Sequence, residues 1–144
     1  MAGIDRPAIT ALGQALSRFR TIADKHAPAI KALRGGKLHS CYSRSAKKAD
    51  TFSGTHGCEP YSDLKHFLAD PELDIVTICT PSGAHLEPGV AAARAGKHVI
   101  MEKPLEITPA RCRRIIQACA KNRVRLVTIF PSRVKDVNVL MKDA

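Results

Sequence analysis

Tryptophan is absent and aromatic residues reach only 4%, so the chain has no aromatic series on which nucleobases could stack. Its 23 Lys and Arg against 13 Asp and Glu give a formal charge of +10. These cations are spread over Arg44 to Lys48, Arg111 to Arg114 and Lys121 to Arg125 without a helix-turn-helix, zinc-finger or RNA-binding signature, and nucleic acid is not an expected partner. No apolar run approaches the roughly 18 residues that cross a bilayer, and residues 1–20 lack the continuous apolar segment of a secretion signal. A membrane is not an expected partner either; the expected location is cytoplasmic. The five Cys form no CxxC pair and the six His no HxxxH or HExxH arrangement, which leaves a metal site unsupported and the thiols as reduced structural residues.

At 144 residues the chain suits one domain, able to bury around two thirds of its unfolded surface. The stretch that organises it runs from Asp74 to Pro104. Ile75, Val76, Thr77, Ile78 and Cys79 form an unbroken apolar and β-branched run, which predicts a strand covered on both faces. Pro81 has no N–H and keeps Thr80 out of the helical region; Leu86, Val90 and Ala93 then share one helical face and Gly96 supplies a stop. A second strand follows at Val99-Ile100-Met101. Strand, helix, strand is a βαβ crossover, so both strands end on one sheet edge and carry Thr80-Pro81-Ser82 and Glu102-Lys103-Pro104 to it. In open α/β sheets that edge is where ligands bind.

CTPSGAH followed by AGKHVIMEKPLEIT resembles, in residues and spacing, the nucleotide-binding domain of the Gfo/Idh/MocA oxidoreductases, and the likeness extends from about Ile22 to Arg133. The resemblance implies an α/β fold, a Rossmann-like doubly wound parallel sheet. It implies an NAD(P)-dependent oxidoreductase that moves a hydride to or from a sugar or cyclitol hydroxyl carbon. Thr80, Pro81 and Ser82 would then wall the cofactor, with His85 near its nicotinamide half. Glu102, Lys103 and Pro104 would close the site, Lys103 as the catalytic residue beside nicotinamide and substrate hydroxyl, and Pro104 after a cis bond. Just past the strand expected at Lys37 to Tyr42, family members favour NAD by an acid on the ribose. Ser43, Arg44, Ser45 and Lys47 stand here instead and suit the 2′-phosphate of NADP, so NADP is favoured over NAD. The same residues also fit a solvated helix start with Ser45 as N-cap. Without the resemblance, His85 reads as a capping or surface residue and Lys103 as a turn lysine.

The beginning departs from the family, whose members open on a buried strand and GxGxxG or GxGxxA. The tight turn and the close backbone approach to pyrophosphate need residues without a Cβ. Alignment through Ile22-Ala23-Asp24-Lys25-His26 puts Arg18 and Arg20 at the first two glycines, and Gly13 stands alone. Ile9, Leu12, Leu16 and Phe19 are spaced as an amphipathic helix, with no apolar run for a buried strand. Either the beginning has been replaced, by a shifted reading frame or an alternative start, or Arg18 and Arg20 hold phosphate in a divergent domain. Arginine binds phosphate but cannot supply the turn, which favours replacement. The sheet is then expected to be incomplete at its first strand. Another segment fills the gap, or exposed edges promote association into a homo-oligomer.

Ile22 to Arg34 is expected as a helix with Ile22, His26, Ile30 and Leu33 inward, Glu59 to Tyr61 as an edge strand, and Ser62 or Asp63 as a helix cap. Thr108-Pro109 opens a helix with Cys112, Ile115, Ile116 and Cys119 inward and Arg111, Arg113 and Arg114 solvated. Three segments result: 1–21, atypical and helical; 22–133, the NAD(P)-binding domain; and 134–144, the remnant of a link to an absent substrate domain. The resemblance places the substrate pocket and a second catalytic group in that other domain. Nicotinamide dinucleotide is therefore the expected partner, a sugar-like substrate only where a second domain is supplied, and the chain alone is expected to turn over little. The alternative is a non-catalytic interaction or regulatory module on the same scaffold, which cofactor binding would distinguish.

Overall fold

The computed structural model describes residues 8–12 and 22–135. Its strands are β1 (Ala8–Leu12), β2 (Lys37–Tyr42), β3 (Glu59–Tyr61), β4 (Ile75–Ile78), β5 (His98–Met101) and β6 (Leu126–Thr128). All pair in parallel in one sheet of order β3-β2-β1-β4-β5-β6. The chain winds outward in both directions from β1 and β4, so their junction is the switch point of a Rossmann-like sheet. Helices α1 (Ile22–Ala32) and α2 (Ala46–His56) lie on one face, where Ala27, Ile30 and Leu38 pack with Phe52, Cys58 and Ile75. Helices α3 (Leu64–Ala69), α4 (Leu86–Arg94) and α5 (Pro109–Lys121) cover the other. Phe67, Leu73, Val76, Ile78, Leu86, Val99, Met101 and Ile115 form the larger core there. Gly89 lets α4 lie close on β5, since a Cβ at that position would fall 2.8 Å from Met101 Cε.

Ala8–Leu12 corrects the helical expectation for this part of the chain. It pairs with β4 from Ile9↔Ile75 to Leu12↔Ile78 and with β2 on its other side. The slot between β2 and β4 presents an unpaired ladder from each neighbour, and each buried amide left unpaired costs on the order of 1–3 kcal/mol. Two waiting ladders outweigh the weak helical periodicity of a segment whose Ile9 and Thr10 are β-branched. The first-strand gap is thus filled from within the chain. What remains of the departure is a short strand with one register slip and the absence of the glycines. Residues 13–21, with Arg18 and Arg20, lie outside the described residues, as does the expected link beyond Lys135.

The register slip explains a local pattern. Ile9 to Ala11 of β1 spans Leu38 to Cys41 of β2, one residue more, which is a bulge. Leu38 and Cys41, three apart, therefore both face α1 and α2, with Cys41 Sγ 3.5 Å from the Ala49 carbonyl oxygen. His39 and Tyr42 face the opposite side, toward Asp70 and Phe67.

Caps follow the sequence where a short polar side chain precedes a helix. Asp63 accepts from the His66 N–H at 2.8 Å and Thr108 from the Arg111 N–H at 3.3 Å. Ser45 holds the N-cap position of α2 but makes no side-chain cap bond. Two helix faces need correction. Ala23, Ala27 and Ile30 are buried in α1, while Ile22 and Leu33 overhang its ends in solvent; in α5 Ile115 and Cys119 are buried and Ile116 is exposed. A helix laid on a flat sheet buries a narrower stripe than one enclosed by other helices. Among the described residues no helix is long and apolar enough to cross a membrane.

Candidate functional site

Parallel strands bring the segments after β2, β4 and β5 to one edge. A groove of about 450 Å³ lies there between the ends of β2 and β4 and the first turns of α4, lined by Tyr42, Arg44, Leu64, Thr80, Ala84, Glu87, Pro88 and Ala91. Apolar walls with a few polar groups, at this size, suit a planar ring attached to a polar chain.

The expected residues have distinct places around it. Ser43 is buried; its Oγ accepts from the Ser45 N–H at 3.3 Å and its own N–H donates to the Tyr61 carbonyl at 3.0 Å. It shapes the turn, and Arg44 is the member of the pair that is exposed on the groove. Thr80 Oγ1 donates to the Ala84 carbonyl at 3.0 Å, which folds the turn back on itself, while Pro81 and Ser82 are exposed at its tip. Gly83, at φ +84, takes the left-handed conformation that this turn requires.

His85 is fully buried. Its Nε2 is 2.8 Å from the Thr80 carbonyl oxygen, and its Nδ1 is 2.9 and 3.2 Å from the carbonyl oxygens of Pro104 and Leu105. The ring spans the two turns and holds them in register, so its contacts are with backbone and not with the groove. Glu102 is buried too, with Oε2 accepting from the Lys103 N–H at 3.1 Å and Oε1 2.9 Å from His26 Nε2. Lys103 and Pro104 are exposed, joined by a cis peptide bond.

Sequence reasoning missed Glu106 and misplaced Arg111. The Glu106 side chain is fully enclosed; Oε1 accepts from the N–H groups of His85 and Leu86, each at 3.1 Å, and Oε2 from the Ile107 N–H at 2.7 Å. Arg111 Nη2 completes the set at 3.1 Å and also donates to the Gly83 carbonyl at 3.1 Å. The carboxylate thus caps α4 from another loop, and Arg111 is a strut between the loops and not a solvated face residue. Burial alone would raise the Glu106 pKa, but the Arg111 and backbone hydrogen bonds outweigh it and hold it at about 2. No spacing rule signals this contact, since the carboxylate reaches amides some twenty residues earlier in the chain.

A sequence profile of the Gfo/Idh/MocA oxidoreductases, a family with an NAD-binding Rossmann fold, matches residues 18–130. The chain belongs to this family. It is 35% identical over 117 residues to the uncharacterized oxidoreductase YdgJ of Escherichia coli, covering 80% of this chain and 32% of that protein. It is 33% identical over 117 residues to the 1,5-anhydro-D-fructose reductase of Ensifer adhaerens, covering 81% and 35%. Among solved structures, the WlbA dehydrogenase of Bordetella pertussis, in complex with NADH and UDP-GlcNAcA, superposes with a TM-score of 0.87 at 26% identity, covering 96% of this chain and 42% of that one. A biliverdin reductase from Synechocystis, in complex with biliverdin and NADP+, gives 0.81 at 25% identity, covering 94% and 42%. The chain spans about a third of the length of these curated relatives.

As a Gfo/Idh/MocA member, the chain carries the family's NAD(P)-binding Rossmann fold. The residues aligned with the pyrophosphate glycines, Arg18 and Arg20, lie outside the described residues.

Proposed function

We propose that the carboxyl edge of the sheet binds a nicotinamide dinucleotide as the cofactor half of an oxidoreductase. The carrying observation is a groove between the turns after β2 and β4, at the carboxyl edge beside the sheet's switch point. Adenosine occupies the groove, with Tyr42, Ala84 and Pro88 against the ring. Arg44 stands at the 2′-position, where its guanidinium pairs with the phosphate of NADP, and Ser43 holds the turn that presents it. Thr80, Pro81 and Ser82 wall the cofactor toward its nicotinamide half, and His85 keeps that wall joined to the turn carrying Glu102, Lys103 and Pro104. The bound nicotinamide supplies the hydride chemistry. Lys103 orients a substrate hydroxyl and assists its proton transfer, the substrate being of sugar or cyclitol type and enclosed by residues outside 22–133.

Purified protein titrated with NADPH and NADH, following nicotinamide fluorescence and the thermal midpoint together, tests this reading. Saturable binding with a raised midpoint is expected, tighter for NADPH. A folded protein that binds neither would refute it.

A further inference from the structure

His26 sits on the inward stripe of α1 with Ala23, Ala27 and Ile30, where a polar ring needs partners to repay its desolvation. It has two. Nδ1 lies 3.6 Å from Cys79 Sγ and Nε2 2.9 Å from Glu102 Oε1, with the His26 and Glu102 side chains only 13% and 8% exposed. The network assigns one tautomer: the Cys79 S–H donates to Nδ1, and Nε2–H donates to the carboxylate. Burial first, and the Glu102 charge second, push the Cys79 thiol up, which keeps it a donor.

Cysteine, histidine and carboxylate in this order resemble a nucleophilic triad. Cys79 is 7% exposed and held protonated, so the contacts serve position and not attack. Their outcome is at the next residue. Glu102 Oε2 accepts from the Lys103 N–H, and the Glu102 N–H donates to the Ile78 carbonyl at 3.0 Å. Without His26 the buried carboxylate keeps the Lys103 backbone N–H as its donor and must move toward water, taking Lys103 with it.

We propose that His26 is a positioning residue for the nicotinamide end of the site, fixing through Glu102 the turn that carries Lys103. The inference rests on the dinucleotide site proposed above and adds to it a residue from α1, on the opposite side of the turn from His85.

The test uses the full chain and two probes: NADPH, which reaches the Lys103 turn, and 2′,5′-ADP, which fills the adenosine half alone. His26→Ala is expected to weaken NADPH roughly tenfold and 2′,5′-ADP less than about twofold. His26→Gln, which keeps a donor near the Nε2 position, restores NADPH affinity, and His26→Ala adds nothing further on a Lys103→Ala background. Equal loss of both probes, no loss of either, or additive effects in the double variant would overturn the positioning role. Failure of the unmodified chain to bind either probe would instead overturn the site itself.

Discussion

Glu106→Gln is expected to lower the thermal midpoint by about 10 °C, corresponding to about 3 kcal/mol in a domain of this size. The native carboxylate accepts from three backbone N–H groups and from Arg111 while fully enclosed. An amide places N–H against one of those donors and leaves Arg111 without its buried counter-charge, which the exposed Glu87 at 3.3 Å replaces only in part. The pH dependence follows from the direction of the shift. The folded carboxyl, at about 2, binds a proton less readily than the unfolded one, whose ordinary value is near 4.5. Its contribution is therefore complete above pH ~4.5 and is lost as pH falls from there toward 2. Chemical denaturation of both proteins at pH 7 and pH 3 checks this: the gap between them should narrow in acid. A constant gap would mean that the Glu106 hydrogen bonds do not depend on its charge.

Arg44→Ala is expected to weaken NADPH by ten- to a hundredfold while NADH changes less than about threefold. A charged hydrogen bond to phosphate is worth about 1.5–3 kcal/mol, and NADH offers no phosphate at that position. Arg44 and Ser43 are adjacent in sequence but opposite in role, because the turn after β2 buries one and exposes the other on the groove. Ser43→Ala therefore acts on the turn and should weaken both dinucleotides alike. Parallel titrations of the two variants decide it; equal loss of NADPH and NADH in Arg44→Ala would remove Arg44 from the 2′-position.

Much of this site was legible because it depends on topology. An apolar run, a Pro-containing turn, a glycine-terminated helix and a second apolar strand dictate a parallel crossover, and a parallel crossover brings Thr80 and Lys103 to one edge whatever else the chain does. The family likeness added roles to those positions. The rest depends on contacts between residues far apart in sequence. Ala8–Leu12 is a short, mostly apolar run that read as part of a helix through the spacing of Ile9, Leu12, Leu16 and Phe19, and its strand is imposed by the ladders of β2 and β4 on either side. His85 read as a surface residue because a lone polar ring early in a helix is normally solvated; here two loops close over it. Arg111 fell on the expected solvated face of α5, yet the turn at Gly83 and the carboxylate of Glu106 lie within its reach. Helical periodicity did place His26 inward, but nothing in it showed that the ring would meet Glu102.

Amide chemical-shift mapping of nitrogen-15-labelled protein during an NADPH titration would locate the dinucleotide on the chain. Shifts are expected at Arg44 and Ser45, at Thr80, Ser82, Gly83 and Ala84, and at Lys103 and Leu105, all saturating at one concentration. The α5 amides from Gln117 to Lys121, away from the carboxyl edge, should stay still. Saturable shifts confined to residues away from that edge, or none at concentrations that saturate other members of this family, would contradict a dinucleotide site there.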